Sequence, residues 1–199
     1  MKQRISTLLA GCVLALGLFG VAIAGPLEDV LTAFQRGDYA AALQILRPLA
    51  EHGDALAQAG LGAMYERGQG VPHDDAQAFA WFHKATDQGN VGGQNALGVM
   101  YRDGRGIPQD YAQAAAWFRK AADQGQADAQ MNLGVMYARG LGVPQDFVLA
   151  YMWSNLAATR ETNAEDSERA VKNRDLIGSS LTPDQLAEAQ RMAREWKPK

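Results

Sequence analysis

The chain repeats itself every 36 residues, and this period constrains its fold more than any other feature. One aspartate recurs at that spacing in four copies: Asp38, Asp74, Asp110 and Asp146. Three copies also share a Leu-Gly pair, at 61–62, 97–98 and 133–134, and a G-x-G-[VI]-P phrase, at 68–72, 104–108 and 140–144. Self-similarity at a fixed period of this length is typical of stacked repeats, in which each unit packs only against its neighbours.

The sequence pattern within each repeat unit predicts two helices. The registered aspartate suits the first helix start, because its carboxylate can accept hydrogen bonds from the free N–H groups there. Alanines and aromatics then follow at helical spacing, as in Ala114, Trp117 and Phe118. The second helix, as in 127–139, runs to a glycine that can adopt the left-handed conformation of a helix end. Since no segment alternates with period two, we predict an all-α fold of stacked antiparallel helix pairs.

A glycine follows leucine inside each second helix, at Gly62, Gly98 and Gly134. Glycine within a helix costs about 1 kcal/mol relative to alanine. We expect this glycine to let the two helices of a pair approach closely, beside the Trp-Phe pair of the first helix.

The segment 112–146 resembles the Sel1-like repeat, a relative of the tetratricopeptide repeat. The matching residues are Ala114, Trp117, Phe118, Lys120, Ala121, Gln124-Gly125, Ala129-Gln130, Leu133-Gly134, Tyr137, Gly140, Gly142, Val143 and Asp146. The copy from Asp74 fits with softer matches, whereas the copy from Asp38 has Ile45-Leu46 in place of Trp-Phe and an intruding Pro48. The resemblance covers 38–157 and implies a right-handed α-solenoid that acts as a scaffold and binds partner proteins.

The sequence divides into four parts. We assign 1–24 to a signal peptide and 25–37 to a leading helix. The repeats occupy 38–157, as units 38–73, 74–109 and 110–145 with a partial unit at 146–157. Residues 158–199 are predicted to form C-terminal capping helices, of which the last starts at Thr182, and a mobile tail at 197–199.

The signal-peptide assignment rests on the basic residues Lys2 and Arg4, an apolar run over 8–24 and the small residues Ala22 and Ala24. We expect cleavage after Ala24 and a periplasmic or secreted protein. A retained membrane anchor is one alternative. Lipidation of Cys12, which ends a Leu-Ala-Gly-Cys motif, is the other.

Charge and cysteine content limit the partners. The chain carries 19 basic and 22 acidic side chains, and since 1–24 holds two of the basic ones, the mature net charge would be −5. This balance argues against nucleic acid, which favours a basic face. Cleavage would also remove Cys12, the single cysteine, and with it any disulfide or cysteine metal site.

The residues that carry enzyme chemistry form no recognisable constellation. His52, His73 and His83 lack metal-ligand spacing, and no serine lies in a G-x-S-x-G phrase. We therefore predict no catalytic residue, metal or cofactor, and a non-enzymatic adaptor. Two alternatives stay open: an envelope hydrolase or cell-wall-ligand-binding protein, and a regulator of an envelope enzyme.

Comparison of the copies indicates a candidate binding surface. Two positions of the first helix, four residues apart and so on one face, vary between copies while the packing positions repeat. This first-helix stripe consists of Leu43, Arg47, Phe79, His83, Ala115, Arg119, Tyr151 and Asn155. We expect an exposed apolar groove from Phe79 to Tyr151, edged by Arg47 and Arg119, on the concave face that the first helices line in tetratricopeptide-like solenoids. The alternative is a solvent face that tolerates variation.

Overall fold

A computed structural model of the chain describes residues 25–160 and 164–199. The predicted signal peptide, with Cys12, lies outside these residues. Within them the structure has ten helices and no strand. The helices are α1 Pro26–Arg36, α2 Tyr39–Glu51, α3 Ala55–Arg67, α4 Asp75–Thr86, α5 Val91–Asp103, α6 Tyr111–Asp123, α7 Ala127–Arg139, α8 Phe147–Arg160, α9 Ala164–Gly178 and α10 Pro183–Glu195. In the described part of the chain, no helix has the length and apolar character needed to cross a membrane.

All four registered aspartates cap a first helix, as the sequence predicts. Each carboxylate accepts a hydrogen bond from the backbone N–H three residues on, over 2.9–3.0 Å. The second helices have a cap at a position of their own, occupied by Asp54, Asn90 and Gln126, whose side chains accept from Ala57, Gly93 and Ala129. Because the cap residue changes from copy to copy, comparison of the sequence with itself does not reveal it.

The helix-interior glycines do make close helix contacts, but with a different partner from the one expected. A Cβ on Gly62 would lie 2.8 Å from Phe82 Cδ1, and a Cβ on Gly98 would lie 2.6 Å from Phe118 Cδ1. Both phenylalanines belong to the first helix of the following unit, so our assignment of this contact to the helices within one pair was wrong. The glycine brings α3 against α4 and α5 against α6, and each of these contacts joins one repeat to the next.

The G-x-G-[VI]-P phrases form the turns that link each second helix to the following first helix. Their first glycine ends the second helix, and the second glycine also has positive φ, +72° at Gly70 and +70° at Gly106. A Cβ on these two would lie 2.7 Å from the carbonyl oxygen of Tyr39 and 2.6 Å from that of Asp75. Glycine is therefore required for two reasons. The backbone angle favours glycine, and the first turn of a first helix lies too close to leave room for a Cβ.

The described residues form two compact units, called unit 1 and unit 2, each of which contains more than one repeat. Unit 1 contains 25–97 with 105–108, and unit 2 contains 98–104 with 109–199. The core of unit 1 begins at the leading helix, where Val30 and Phe34 of α1 pack with Leu46 of α2 and with Leu61 and Met64 of α3. In unit 2, α8 is the central helix, and it packs against α7, α9 and α10.

The last helix begins as predicted, but the tail after it is not free. Thr182 and Gln185 form a reciprocal capping box, in which each side chain accepts a hydrogen bond from the other residue's backbone N–H. Beyond Glu195 the chain turns back onto unit 2, where the Lys199 backbone N–H donates to the Asp123 carbonyl over 2.8 Å. The expectation of a mobile tail at 197–199 is therefore wrong: Lys199 is fixed to the end of α6.

Candidate partner-binding surface

In unit 1 the first-helix stripe reaches the surface. Leu43 is partly buried against the unit 1 core, and Arg47, one turn along α2, is exposed. On α4 the half-buried Phe79 ring lies 6.1 Å from the ring of the exposed His83, at an angle of 52°. His83 Nδ1 lies 3.6 Å from a carboxylate oxygen of Asp87. Each helix therefore presents an apolar side chain next to a basic or titratable one.

In unit 2 two stripe residues are buried. Ala115 is 4% exposed and Tyr151 is 8% exposed. A Cβ on Gly178 would lie 3.0 Å from Tyr151 Cε2, so the end of α9 covers the tyrosine ring. The expected exposed groove from Phe79 to Tyr151 is therefore wrong at Tyr151. The repeat pattern could not show this, because α9 lacks the repeat phrases and its packing is invisible in their register.

Arg119 is held by its neighbours in unit 2. Its guanidinium donates a hydrogen bond to the Tyr137 hydroxyl and lies 5.4 Å from the centre of the Tyr137 ring. The same group lies 5.2 Å from the centre of the Trp153 ring. Arg119 therefore bridges α6, α7 and α8 through cation–π contacts, which are stronger where water is excluded. The remaining member of the stripe, Asn155, is partly buried on α8.

A second cluster, which the sequence reasoning missed, surrounds the C-terminal tail. The rings of Trp196 and Trp153 meet edge to face at 6.0 Å, and the Arg160 guanidinium lies 4.6 Å from the centre of the Trp196 ring. Lys199 Nζ lies 3.0 Å from Asp123 Oδ2. The available signal was a tryptophan and two lysines in the last four residues, the composition of a segment that can bind aromatic and acidic groups.

Among the described residues, no group of three or more His, Cys, Asp or Glu side chains is arranged to hold a metal ion. His73 Nδ1 lies 2.9 Å from the Glu66 carbonyl oxygen and its Nε2 lies 3.6 Å from Asp75 Oδ2. This arrangement orders the turn between α3 and α4.

Comparison with known proteins identifies the repeats. The model of the Sel1 repeat matches residues 55–90, 91–126 and 127–161, more than half of the chain. A protective antigen present in uropathogenic Escherichia coli strains, described as displaying an SLR fold, is 32% identical with a TM-score of 0.72. That match covers 98% of this chain but 45% of the antigen. A Sel1 repeat protein from Oxalobacter formigenes is 27% identical with a TM-score of 0.70, over 83% of this chain and 66% of its own. No curated protein matches the chain.

These matches confirm the resemblance that the repeat phrases indicate, and the all-α fold of stacked helix pairs. The family model places its units in a different phase from ours. It begins each unit at the second helix, α3, α5 or α7, and continues through the following first helix. This phase keeps the glycine–phenylalanine contact inside one unit, because Gly62 and Phe82 then both lie in 55–90.

Proposed function

Because the chain belongs to the Sel1 repeat family, we propose that it is an exported, non-enzymatic scaffold that binds a peptide segment or another protein through the first-helix stripe of unit 1. Sel1-repeat proteins typically act as protein-interaction scaffolds. The residues assigned to binding are Leu43 and Arg47 on α2 and Phe79 and His83 on α4. In the proposed arrangement these residues lie on the concave face, which the first helices line.

One observation carries this proposal: these four residues occupy two repeat positions that vary between copies, and they reach the surface, while the positions around them repeat because they pack. Alanine-rich and aromatic packing positions recur in register, as at Phe82 and Phe118, and both rings are buried. Phe79 and His83 are one helical turn apart and share a face. An apolar side chain beside a basic one suits a partner segment that offers an apolar group next to a carboxylate. The buried Ala115 and Tyr151 and the bridging Arg119 are left out of this surface.

Export is the second part of the proposal. It rests on the arrangement of charged, apolar and small residues over 1–24. Cleavage after Ala24 would leave α1 whole, because that helix begins at Pro26 and Gly25 is its N-cap residue. The mature protein would therefore keep Val30 and Phe34 in the unit 1 core.

The test is an affinity capture from envelope extract with three forms of the mature chain. The first is wild type, and the second combines Arg47→Ala with Phe79→Ala. The third, a matched control, combines Gln44→Ala with Ala80→Ser, two exposed positions adjacent to the stripe on the same helices. A protein captured by wild type and by the control but lost by the stripe variant supports the proposal. Capture that the stripe variant retains would refute the assigned surface.

A further inference from the structure

The tail of the chain lies in a site built from three different parts of unit 2. We define the tail seat by Asp123 at the end of α6, Gly125 in the following turn, and Trp153 and Arg160 on α8. A Cβ on Gly125 would lie 3.2 Å from Arg160 Nη1, 3.8 Å from Trp196 Cη2 and 3.9 Å from Pro198 Cγ. Gly125 therefore lies beside the tail, and a side chain there would press on the Arg160 guanidinium while meeting Trp196 and Pro198 at ordinary contact distance.

The seat contacts the tail at two chemically distinct points. At one end the Trp196 ring meets the edge of Trp153 and stacks under the Arg160 guanidinium. At the other end Asp123 binds Lys199 twice, through its carboxylate to the ammonium at 3.0 Å and through its carbonyl oxygen to the backbone N–H at 2.8 Å. An aromatic contact and a charge contact, three residues apart along the tail, are the features of a short-peptide recognition site.

Repeat register shows that the contacts at this position differ from those in unit 1. There, Gln88 Nε2 donates to Gln58 Oε1 and to the Gly53 carbonyl, each over 2.9 Å. Two repeats further along, the corresponding residues are Gln130, Gly125 and, in place of Gln88, Arg160. Arg160 stacks on Trp196 instead, and the Gln130 Oε1 atom has no hydrogen-bond partner among the described residues although Gln130 is 0% exposed.

Trp153 also has a buried polar atom without a hydrogen-bond partner among the described residues. It is 2% exposed, and its indole N–H finds no acceptor in the described part of the chain. Buried polar groups are normally paired, and leaving them unpaired opposes the state in which this occurs. The tail-bound arrangement thus leaves a donor on Trp153 and an acceptor on Gln130 unused.

We propose that the tail seat is a peptide-binding site whose partner is an extended protein segment with a tryptophan followed three residues later by a lysine. The chain's own Trp196–Lys199 occupies the site and competes with that segment. The tryptophan of the partner packs between Trp153 and Arg160, and its lysine binds the Asp123 carboxylate. The inference rests on the proposed scaffold function but assigns a surface other than the unit 1 stripe.

The competition has a calculable size. A tail attached to its own site acts at an effective concentration of the order of millimolar, so a free segment that binds the vacated site with a Kd of about 100 µM would bind the wild-type chain roughly tenfold more weakly. Loss of the exposed ion pair at Asp123 should weaken binding about two- to fivefold.

The experiment uses a fluorescent peptide of residues 188–199 as the probe and fluorescence anisotropy as the measurement. The opened protein is the full mature chain with Trp196→Ala and Lys199→Ala, which removes the aromatic contact and the ion pair of the tail but keeps α10. Deletion of residues 196–199 provides a second opened form if the double variant has a lower unfolding midpoint than wild type. Control peptides carry Trp196→Ala or Lys199→Glu, and a control protein adds Phe79→Ala in unit 1 to the opened chain.

We expect the probe to bind the opened chain about tenfold more tightly than wild type. Asp123→Asn and either peptide substitution should each weaken the complex, and Phe79→Ala should leave it unchanged. No binding to either opened form up to millimolar peptide would refute the site. Equal binding to wild-type and opened chains would also refute it, and binding that ignores Asp123 and the peptide lysine would refute the proposed chemistry. Since none of these results depends on the unit 1 stripe, failure here leaves the capture experiment for that surface intact.

Discussion

Substitution of Gly98 by alanine should destabilise the protein, although alanine is the better helix former. A Cβ at this position would lie 2.6 Å from both Cδ1 and Cε1 of Phe118 and 3.0 Å from Cγ. Phe118 is 0% exposed, so its ring has no open space into which it could move. The helices α5 and α6 must therefore separate, or the ring must leave its preferred rotamer.

The magnitude follows from two opposing contributions. Overpacking of a well-packed core costs about 1–3 kcal/mol, and replacement of a helix-interior glycine by alanine returns about 1 kcal/mol. Because two ring carbons are involved and the ring is fully enclosed, we take the upper part of the range and expect a net loss of about 1–2 kcal/mol. For a protein of this size that corresponds to a fall in Tm of roughly 2–8 °C.

Thermal and urea unfolding, followed by circular dichroism, measure this change. Gly60→Ala is the matched control: it lies on α3, and its Cβ would meet only the terminal methyl groups of Leu46, at 3.2 Å. Leu46 is also 0% exposed, but at 3.2 Å it has to yield far less than Phe118 at 2.6 Å, so we expect Gly60→Ala to be within about 1 kcal/mol of wild type. Adding Phe118→Leu to Gly98→Ala should give a smaller loss than the two single losses combined, since the shorter side chain relieves the contact. If Gly98→Ala is as stable as wild type, the close-approach explanation of the recurring glycine is wrong.

Three further predictions concern a helix cap, an ion pair and the N-terminus. Asp74→Ala should lower the free energy of unfolding by about 1 kcal/mol in urea unfolding, whereas Asp74→Asn, which keeps the cap acceptor, should be nearly neutral. A side-chain hydrogen bond from Arg191 holds the pKa of the exposed Glu188 carboxyl below its usual value. The small stabilisation that this bond gives is present above the ordinary glutamate pKa and is lost as the pH falls through the lowered pKa. The Tm difference between wild type and Glu188→Gln should therefore shrink between about pH 7 and about pH 3. N-terminal sequencing of the exported protein should begin at Gly25, and a sequence that begins elsewhere would contradict the predicted cleavage site.

Local chemistry explains how much of the fold the sequence could predict. An aspartate that recurs directly before an apolar run predicts a helix N-cap, and all four copies form one. The Gly-x-Gly turns were predictable for the same reason, since a proline shortly after two glycines ends a helix and redirects the chain. Such features depend on residues within a few positions of one another, which the sequence displays directly.

Contacts between distant segments were not predictable in the same way. The partner of Gly98 could have lain in the preceding or in the following first helix, because both carry Trp-Phe or its equivalent, and only the packing decides in favour of Phe118. The burial of Tyr151 depends on α9, which has no repeat phrase to place it. The position of Lys199 on Asp123 joins residues 76 positions apart in the chain, and no local pattern indicates such a pair.

Site-specific photocrosslinking in cells that make the protein tests the central claim most directly. A photoreactive residue at position 47 or 83 lies on the unit 1 stripe, and the same residue at position 44 or 80 lies beside it on the same helix. The account predicts discrete adducts to one partner from positions 47 and 83 that are absent or much weaker from positions 44 and 80. Equal adducts from both sets, or none from positions 47 and 83, would contradict it.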